Sequence, residues 1–429
     1  MIPTDLPFTD IWLHDFEFVP QSGAHPDVVC LAAHELRSGR TFRLWRDELG
    51  EHPPYRIDGD ELFVSFFANA ECACHLSLGW PLPANVLDLS PAFRNLTNGR
   101  FTPEGKGLLG ALRYFGLDAI GAKQKDAMQK RIMQGWPFTS TEREQILAYC
   151  ESDVDALERL LARLLPELEL DVELYHGEFA AASALMEHRG VPIDMEVFTQ
   201  LADKKTWQTV RDAMVPAIDA QYGVYVRNAA GDWTFNSERF AAYLEREGIV
   251  WPRLESGKLN MRRKTFEDMS KGWPQLEELR QLRHARDKMR KVKLAVGAND
   301  GRNRTVLWPF KAKTSRTQPK ASLWIFSPAV WLRSLIKPEP GTAVAYVDYS
   351  SMEFLIAASL SDQHCGPTNN MLDMYRTGDP FCHPVTPDDD VQSPQERNFD
   401  RWRVAIQIIQ RLREAGIKCE LNIGYHTRN

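Results

Sequence analysis

Asp15 and Glu17, in the stretch HDFEFV (14–19), stand two residues apart at the end of an apolar-rich run. Residues two apart on a strand share a face, so the two carboxylates would lie side by side and repel. A divalent cation removes that repulsion, and hard carboxylate oxygens suit Mg²⁺ or Mn²⁺. Another acid, Asp153 in AYCESDVDAL (148–157), follows Tyr149 by four residues and lines up with Ile146, Leu157 and Leu160. On a helix these positions lie on or beside the inward face. A carboxylate there is desolvated at a cost, which a metal shared with Asp15 and Glu17 would relieve. Glu151 and Asp155 fall off that face and read as solvent charges. Further along, AYVDYSSMEFLIAAS begins at Ala345, ends an apolar run on Asp348 and returns Glu353 five residues later.

The elements that must position these acids follow from periodicity. Residues 8–18 and 28–45 alternate or run apolar as strands do, with PQSGAHPD between them as a turn. ELFVSFFANAECACHLSLG (61–79) reads as a strand feeding a helix. From Gly105 the period changes: GKGLLGALRYFGL, AKQKDAMQKRIMQG and TSTEREQILAYCESDVDALERLLARLLPEL are helical, the last with a capping box of Thr141 and Glu144. Strands followed by helices predict an α/β domain ending near residue 170. Helices then run to about 296, followed by a turn-rich stretch, a strand ending at Asp348 and another helix.

A chain of 429 residues at 43 % hydrophobic content can build two or three cores. The first twenty residues lack a basic start followed by an apolar core, and no apolar run approaches the ~18 residues of a membrane span. A soluble cytoplasmic monomer is expected, with no membrane partner. The seven cysteines form no CxxC pair, which supports neither a disulfide framework nor a zinc site. The net charge of −6 hides a local excess. Residues 280–320 hold thirteen lysines and arginines against Asp287 and Asp300. Arg280, Arg283, Arg286 and Arg290 recur every three or four residues as one stripe, with Leu279, Leu282, Met289 and Val292 as its apolar counterpart. Such a surplus suits phosphates, each neutralised contact adding about 0.9 to the salt slope of binding.

The DxE strand, a middle acid and the late YxxxD helix resemble the proofreading 3′–5′ exonucleases of the four-carboxylate superfamily, tyrosine variant, over about residues 8–165. The resemblance implies a ribonuclease H-like fold and two divalent ions, Mg²⁺ or Mn²⁺, that clamp the scissile phosphate. It also implies that Asp15, Glu17 and Asp153 ligate metal and that Tyr149 orients the attacking water. The family's middle motif is an Asn followed four residues later by an Asp. Here FFANAECACHL offers Asn69 only two before Glu71, which is the best match, while Asp88 in NVLDLS is a rival acid.

A second resemblance begins near residue 180. LMEHRGVPID (185–194), WTFNSERFAAYL (233–244), LRQLRHARDKMRKVK (279–293) and KTSRTQP (313–319) look like landmarks of family A DNA polymerases, the group of bacterial DNA polymerase I and related phage enzymes. DYSSMEFLIAASLS is similar to that family's motif A, usually DYSQIELR. This implies that Asp348 and the Tyr349 carbonyl face a magnesium-bound nucleotide, that Glu353 fills the place of a ribose 2′-OH, and that Arg280, Arg283, Arg286, Arg290, Lys291 and Arg316 bind DNA. The family's later nucleotide-binding helix and second metal-binding aspartate find no match, and resemblance fades after about Phe381. The expected organisation is an exonuclease domain (1–170), a helical thumb-like region (171–300) and a partial polymerase palm (301–429). Two functions remain open. One is a metal-dependent exonuclease of DNA replication or repair, acting on DNA 3′ ends or primer-template duplex and unable to extend a primer. The other is a DNA-binding remnant with both sites defective.

Overall fold

The computed structural model describes residues 6–117, 122–289, 293–327, 330–345, 347, 352, 356 and 418–421. By compactness the chain divides into two units, 1–336 and 337–429.

The first unit opens with β1 (Asp10–Val19), β2 (Asp27–Glu35), β3 (Thr41–Trp45), β4 (Glu61–Ser65), α1 (Ala68–Ser77) and β5 (Val86–Asp88). They form one mixed sheet of order β3-β2-β1-β4-β5. β1 runs antiparallel to β2 and parallel to β4, and β5 continues the parallel side. Two-residue alternation along β1 divides its side chains cleanly. Ile11, Leu13 and Val19 enter a core with Ile146, Val154, Leu157 and Leu160, while Trp12 and Phe16 pack on the opposite face with Tyr55, Phe63 and Trp80. Asp15 and Glu17 hold the odd positions between Leu13 and Val19, and so are carried on the face that meets the long helix.

Four helices follow: α2 (Leu89–Leu96), α3 (Leu108–Tyr114), α4 (Ala122–Met133) and α5 (Ser140–Leu164). The capping box of α5 is Thr139 with Glu142, two residues before the Thr141–Glu144 pair expected from sequence. Both pairs have the required spacing. The earlier one forms because the Thr139 hydroxyl accepts from the Glu142 amide, while the Glu142 carboxylate reaches back to the Thr139 amide at 2.8 Å and also meets Arg131.

α6 (Leu170–Arg189) crosses β5 so closely that a Cβ on Gly177 would lie 1.8 Å from the Val86 carbonyl oxygen, so no larger residue fits there. After it come β6 (Val191–Pro192), α7 (Met195–Ala202), α8 (Lys204–Asp219), β7 (Tyr225–Arg227), β8 (Trp233–Phe235), α9 (Ser237–Arg246), α10 (Arg263–Gly272), α11 (Glu277–Met289) and β9 (Arg302–Asn303). α8–α11 and the β7–β8 hairpin enclose a core of their own, with Phe240, Trp251, Phe266, Leu279 and Leu282. Residues 294–335 return to this unit through Leu294, Leu307, Ile325 and Leu332, which pack on Val191 and Ile193. Buried Asn303 holds that return in place. Its amide donates to the Ala295 and Leu323 carbonyls, and its carbonyl accepts from the Ile325 amide, all at 2.8 Å.

In the second unit, β10 (Thr342–Ala345) pairs in parallel with β11 (Lys418–Leu421). The pairing with β11 has no counterpart in the expectations from sequence. Asp348, Tyr349 and Glu353 lie outside the described residues. Among the described residues no helix is long and apolar enough to cross a membrane.

Candidate metal centre

β1 and α5 bring together the acids that the sequence singled out. Asp15, Glu17 and Asp153 each offer an oxygen within 4.8 Å of the others, although 136 residues separate Glu17 from Asp153. Asp153 and Tyr149 are buried on the inner face of α5. Cys150, between them, anchors the helix to the strand by donating its thiol to the Asp15 carbonyl at 3.1 Å. The β1–β2 register slips between Glu17 and Phe18, leaving Val29 without a partner. Such a bulge turns the strand end and re-aims its side chains.

Glu71 and Asp88 take different parts. β4 accompanies β1 only as far as Leu13, and beyond it the Phe16 amide donates to Glu71 Oε2 at 2.9 Å. Glu71 is therefore a buried neighbour of the three acids and not a member of their ring. Asp88 caps α2 and accepts from the amides of Phe67 (2.8 Å), Ala68 (2.9 Å) and Ser90 (2.9 Å). Those bonds hold Phe67 at φ 77°, a left-handed conformation that a non-glycine residue adopts at a cost of roughly 1–3 kcal/mol. Through that turn Asp88 fixes the start of α1, the helix that carries Glu71.

Electrostatically the cluster is unbalanced. Burial, and then the charge of Asp153, pushes Asp15 up to about 8. Burial and the Asp15 charge push Glu17 well above the usual carboxylate range. Glu71 is raised as well, by burial first and Asp15 second, with the Phe16 amide opposing. Burial ahead of Asp153 likewise raises the Tyr149 phenol, whose oxygen is bonded by Gln129. Carboxylates under such strain accept a hard divalent cation, and an all-oxygen donor set fits Mg²⁺ or Mn²⁺ better than a softer metal.

One charged side chain here was not found from sequence. Lys125 of α4 places its ammonium 2.7 Å and 2.8 Å from the two oxygens of Asp153 and 5.5 Å from the centre of the Tyr149 ring. AKQKDAMQKRIMQG carries seven other polar or charged side chains with no signal that sets this lysine apart, because its role depends on how α4 meets α5.

The basic stripe needs correction. Arg280 is bonded to Glu277, with Nε donating at 2.7 Å. Arg283 lies between the Phe235 and Phe266 rings, 4.4 Å and 4.2 Å from their centres. Arg286 is only 8 % exposed, sits 4.6 Å from the centre of the Tyr225 ring and donates to the Trp233 carbonyl. A guanidinium is planar and weakly hydrated, so it stacks on aromatic rings where an ammonium would stay in water. Charge counting could not see that these arginines pack inward. Leu279 and Leu282 are buried as expected. Arg316 is exposed, while Arg290 and Lys291 lie outside the described residues.

A cavity of about 510 Å³ opens beside Glu17, with Phe18, Phe67, Asn69, Met133 and Trp308 in its walls. Phe67 and Trp308 face each other across 4.9 Å at 30°.

No protein-family model matches the chain. It is 24 % identical over 260 residues to the DNA polymerase of Mycobacterium phage L5, and 25 % identical over 266 residues to that of Mycobacterium phage D29. The chain is thus similar to two phage DNA polymerases. Each match covers 57 % of this chain but only 40 % and 41 % of the two phage proteins, so the chain spans about two fifths of their length. Its fold is similar to the POL domain of Pol1 from M. smegmatis, solved in complex with DNA primer-template and dNTP. The TM-score is 0.55 and the identity 18 %, over 94 % of this chain and 71 % of that one.

Proposed function

We propose that this DNA polymerase-like chain is a metal-dependent 3′–5′ exonuclease that removes nucleoside monophosphates from DNA 3′ ends, and that residues 1–170 form a ribonuclease H-like exonuclease domain. The convergence of Asp15, Glu17 and Asp153 at one end of a mixed sheet carries this reading. Similarity to phage DNA polymerases supports DNA as the substrate.

Mg²⁺ or Mn²⁺ held by these three carboxylates would polarise the scissile phosphodiester and supply a water acidic enough to attack it. The chain's own groups then orient the reactants. The Tyr149 phenol keeps its proton, because burial and nearby carboxylates raise its pKa, and so it can donate to or position that water. Glu71 ties the strand carrying Asp15 and Glu17 to α1 through the Phe16 amide. The aromatic walls of the adjoining cavity suit a terminal base, since every base presents a stacking face.

Degradation of a 3′ single-stranded DNA end in Mg²⁺ tests the reading. Asp15→Ala should lower the rate by roughly a thousandfold or more, as loss of a group that stabilises transition-state charge does, with DNA binding nearly unchanged. Tyr149→Phe should slow the reaction less, since only an orienting hydroxyl is removed. Equal rates for Asp15→Ala and the wild type would identify the chain instead as a DNA-binding protein with a defective site.

A further inference from the structure

Asp15, Glu17 and Asp153 offer oxygens within 4.8 Å of one another, and the structure gives one of these acids a counter-charge before any metal arrives. The Lys125 ammonium takes both oxygens of Asp153, at 2.7 Å and 2.8 Å, with side-chain exposures of only 16 % for the lysine and 12 % for the aspartate. No other cation is found within ion-pair distance of Asp15, Glu17 or Asp153 among the described residues. The lysine reaches this position from α4, an element separate from both that carry the acids.

We propose that Lys125 is a built-in cation that holds the metal-free centre together and must leave Asp153 before a divalent ion can bind there. This rests on the metal-centre reading above. Its physical basis is competition for the same lone pairs: an Asp153 oxygen that receives an N–H at 2.7 Å cannot present that electron pair to a metal. A lysine suits such an exchange. Its charge sits on a flexible four-carbon stem and can swing to water, whereas a buried arginine fork would be harder to displace. The arrangement lets the site keep its shape without metal and yield when a doubly charged ion makes the stronger interaction with all three acids.

The test compares the full chain with Lys125→Met and Lys125→Arg, measuring Mn²⁺ binding by the electron paramagnetic resonance of free Mn²⁺ and thermal unfolding in chelator and in saturating Mn²⁺. Lys125→Met, which keeps the length and loses the charge, should bind Mn²⁺ roughly tenfold more tightly, the weight of one charge-assisted pair. It should also unfold at a lower temperature than wild type in chelator, with the gap closing in Mn²⁺. Lys125→Arg should show no gain in affinity. If Lys125→Met is too unstable to study in chelator, its refolding on Mn²⁺ addition is itself an expected result. Unchanged or weaker Mn²⁺ binding by Lys125→Met would overturn the proposal, as would an equal loss of stability with and without Mn²⁺, because a purely structural lysine would behave in that way. Asp15→Ala separates the two readings. If it binds Mn²⁺ as well as wild type does, the metal centre itself is disproved and the role of Lys125 falls with it.

Discussion

The carboxylates on β1 and α5 and the arginines on α11 are both groups of like charge wholly or partly withdrawn from water, and the molecule resolves them in opposite ways. Around Arg283 and Arg286 the compensation is internal: the Phe235, Phe266 and Tyr225 rings face the guanidinium planes and the Trp233 carbonyl accepts from one of them, although the buried Arg286 Nε has no hydrogen-bond partner. Around Asp15, Glu17 and Asp153 it is partial, since one lysine faces three acids whose pKa values, for Asp15 and Glu17, are driven upward. A cluster whose charges stack on the fold's own aromatic rings is a packing device. A cluster whose acids are held away from their ordinary ionisation is poised for a ligand, and that difference separates a core from a site.

The largest consequence concerns pH. Asp15 is raised to about 8 in the folded chain from an ordinary 3.8. Between those values the folded state retains a proton that the unfolded chain has released, so stability falls as pH rises from about 4 to about 8, by at most about 1.4 kcal/mol per pH unit for one such group. A divalent ion binds the ionised form and removes the penalty. Thermal unfolding across pH 5 to 8 should therefore show a downward slope in chelator that Mn²⁺ flattens and that Asp15→Asn reduces. A slope that neither changes would mean that the acids are already balanced within the fold, as the arginines are.

How much of this contrast could be read from sequence depends on whether the signal was local. Two-residue spacing placed Asp15 and Glu17 on one face, and helical spacing put Tyr149 and Asp153 on the inner side of α5, because each pattern is written within a single element. The strands followed by helices of the chain's opening segment were legible for the same reason. What the sequence withheld lies between elements. Thr139 and Thr141 offer equivalent caps, and the choice between them follows from contacts such as Arg131 with Glu142. Glu71 was recognised as an acid of the right kind, but its bond to the Phe16 amide depends on where β4 stops. Lys125 went unnoticed, and the arginines were read as one stripe, because a charge count carries no direction. The parallel pairing of β10 with β11 joins segments more than seventy residues apart and leaves no local trace.

A smaller effect is expected from breaking the arginine side. Arg286→Met removes the donor to the Trp233 carbonyl and the partner of the Tyr225 ring in a place that water hardly reaches. The loss should be about 1–3 kcal/mol of unfolding free energy, typical of a buried polar acceptor left without its partner. Exonuclease rate at a temperature where the variant stays folded should be unchanged, the reverse of the Asp15→Ala pattern. Chemical denaturation alongside the nuclease assay checks both halves. A stable variant would show that Met fills the space equally well and that the arginine was not needed as a cap for this core.

The smallest expected effect is one that should vanish. Had the α11 arginines met DNA phosphates, removing Arg283 would release one fewer counterion on binding and flatten the dependence of log affinity on log salt by about 0.9. In the structure the Arg283 guanidinium is held between two rings and donates to the Met261 carbonyl at 3.3 Å, so leaving for a phosphate would sacrifice both stacking contacts and that bond. Any phosphate contacts of this chain should come from side chains that reach solvent, and Arg316 is exposed where Arg286 is buried. Duplex-DNA affinity measured from low to moderate salt should therefore keep its slope in Arg283→Gln, with only a uniform change if the domain loosens. A slope reduced by about one contact would place α11 against DNA after all. The aromatic–arginine stack would then be a platform that opens on binding, and the contrast between a stacked cluster and a poised one would fail at its clearest point.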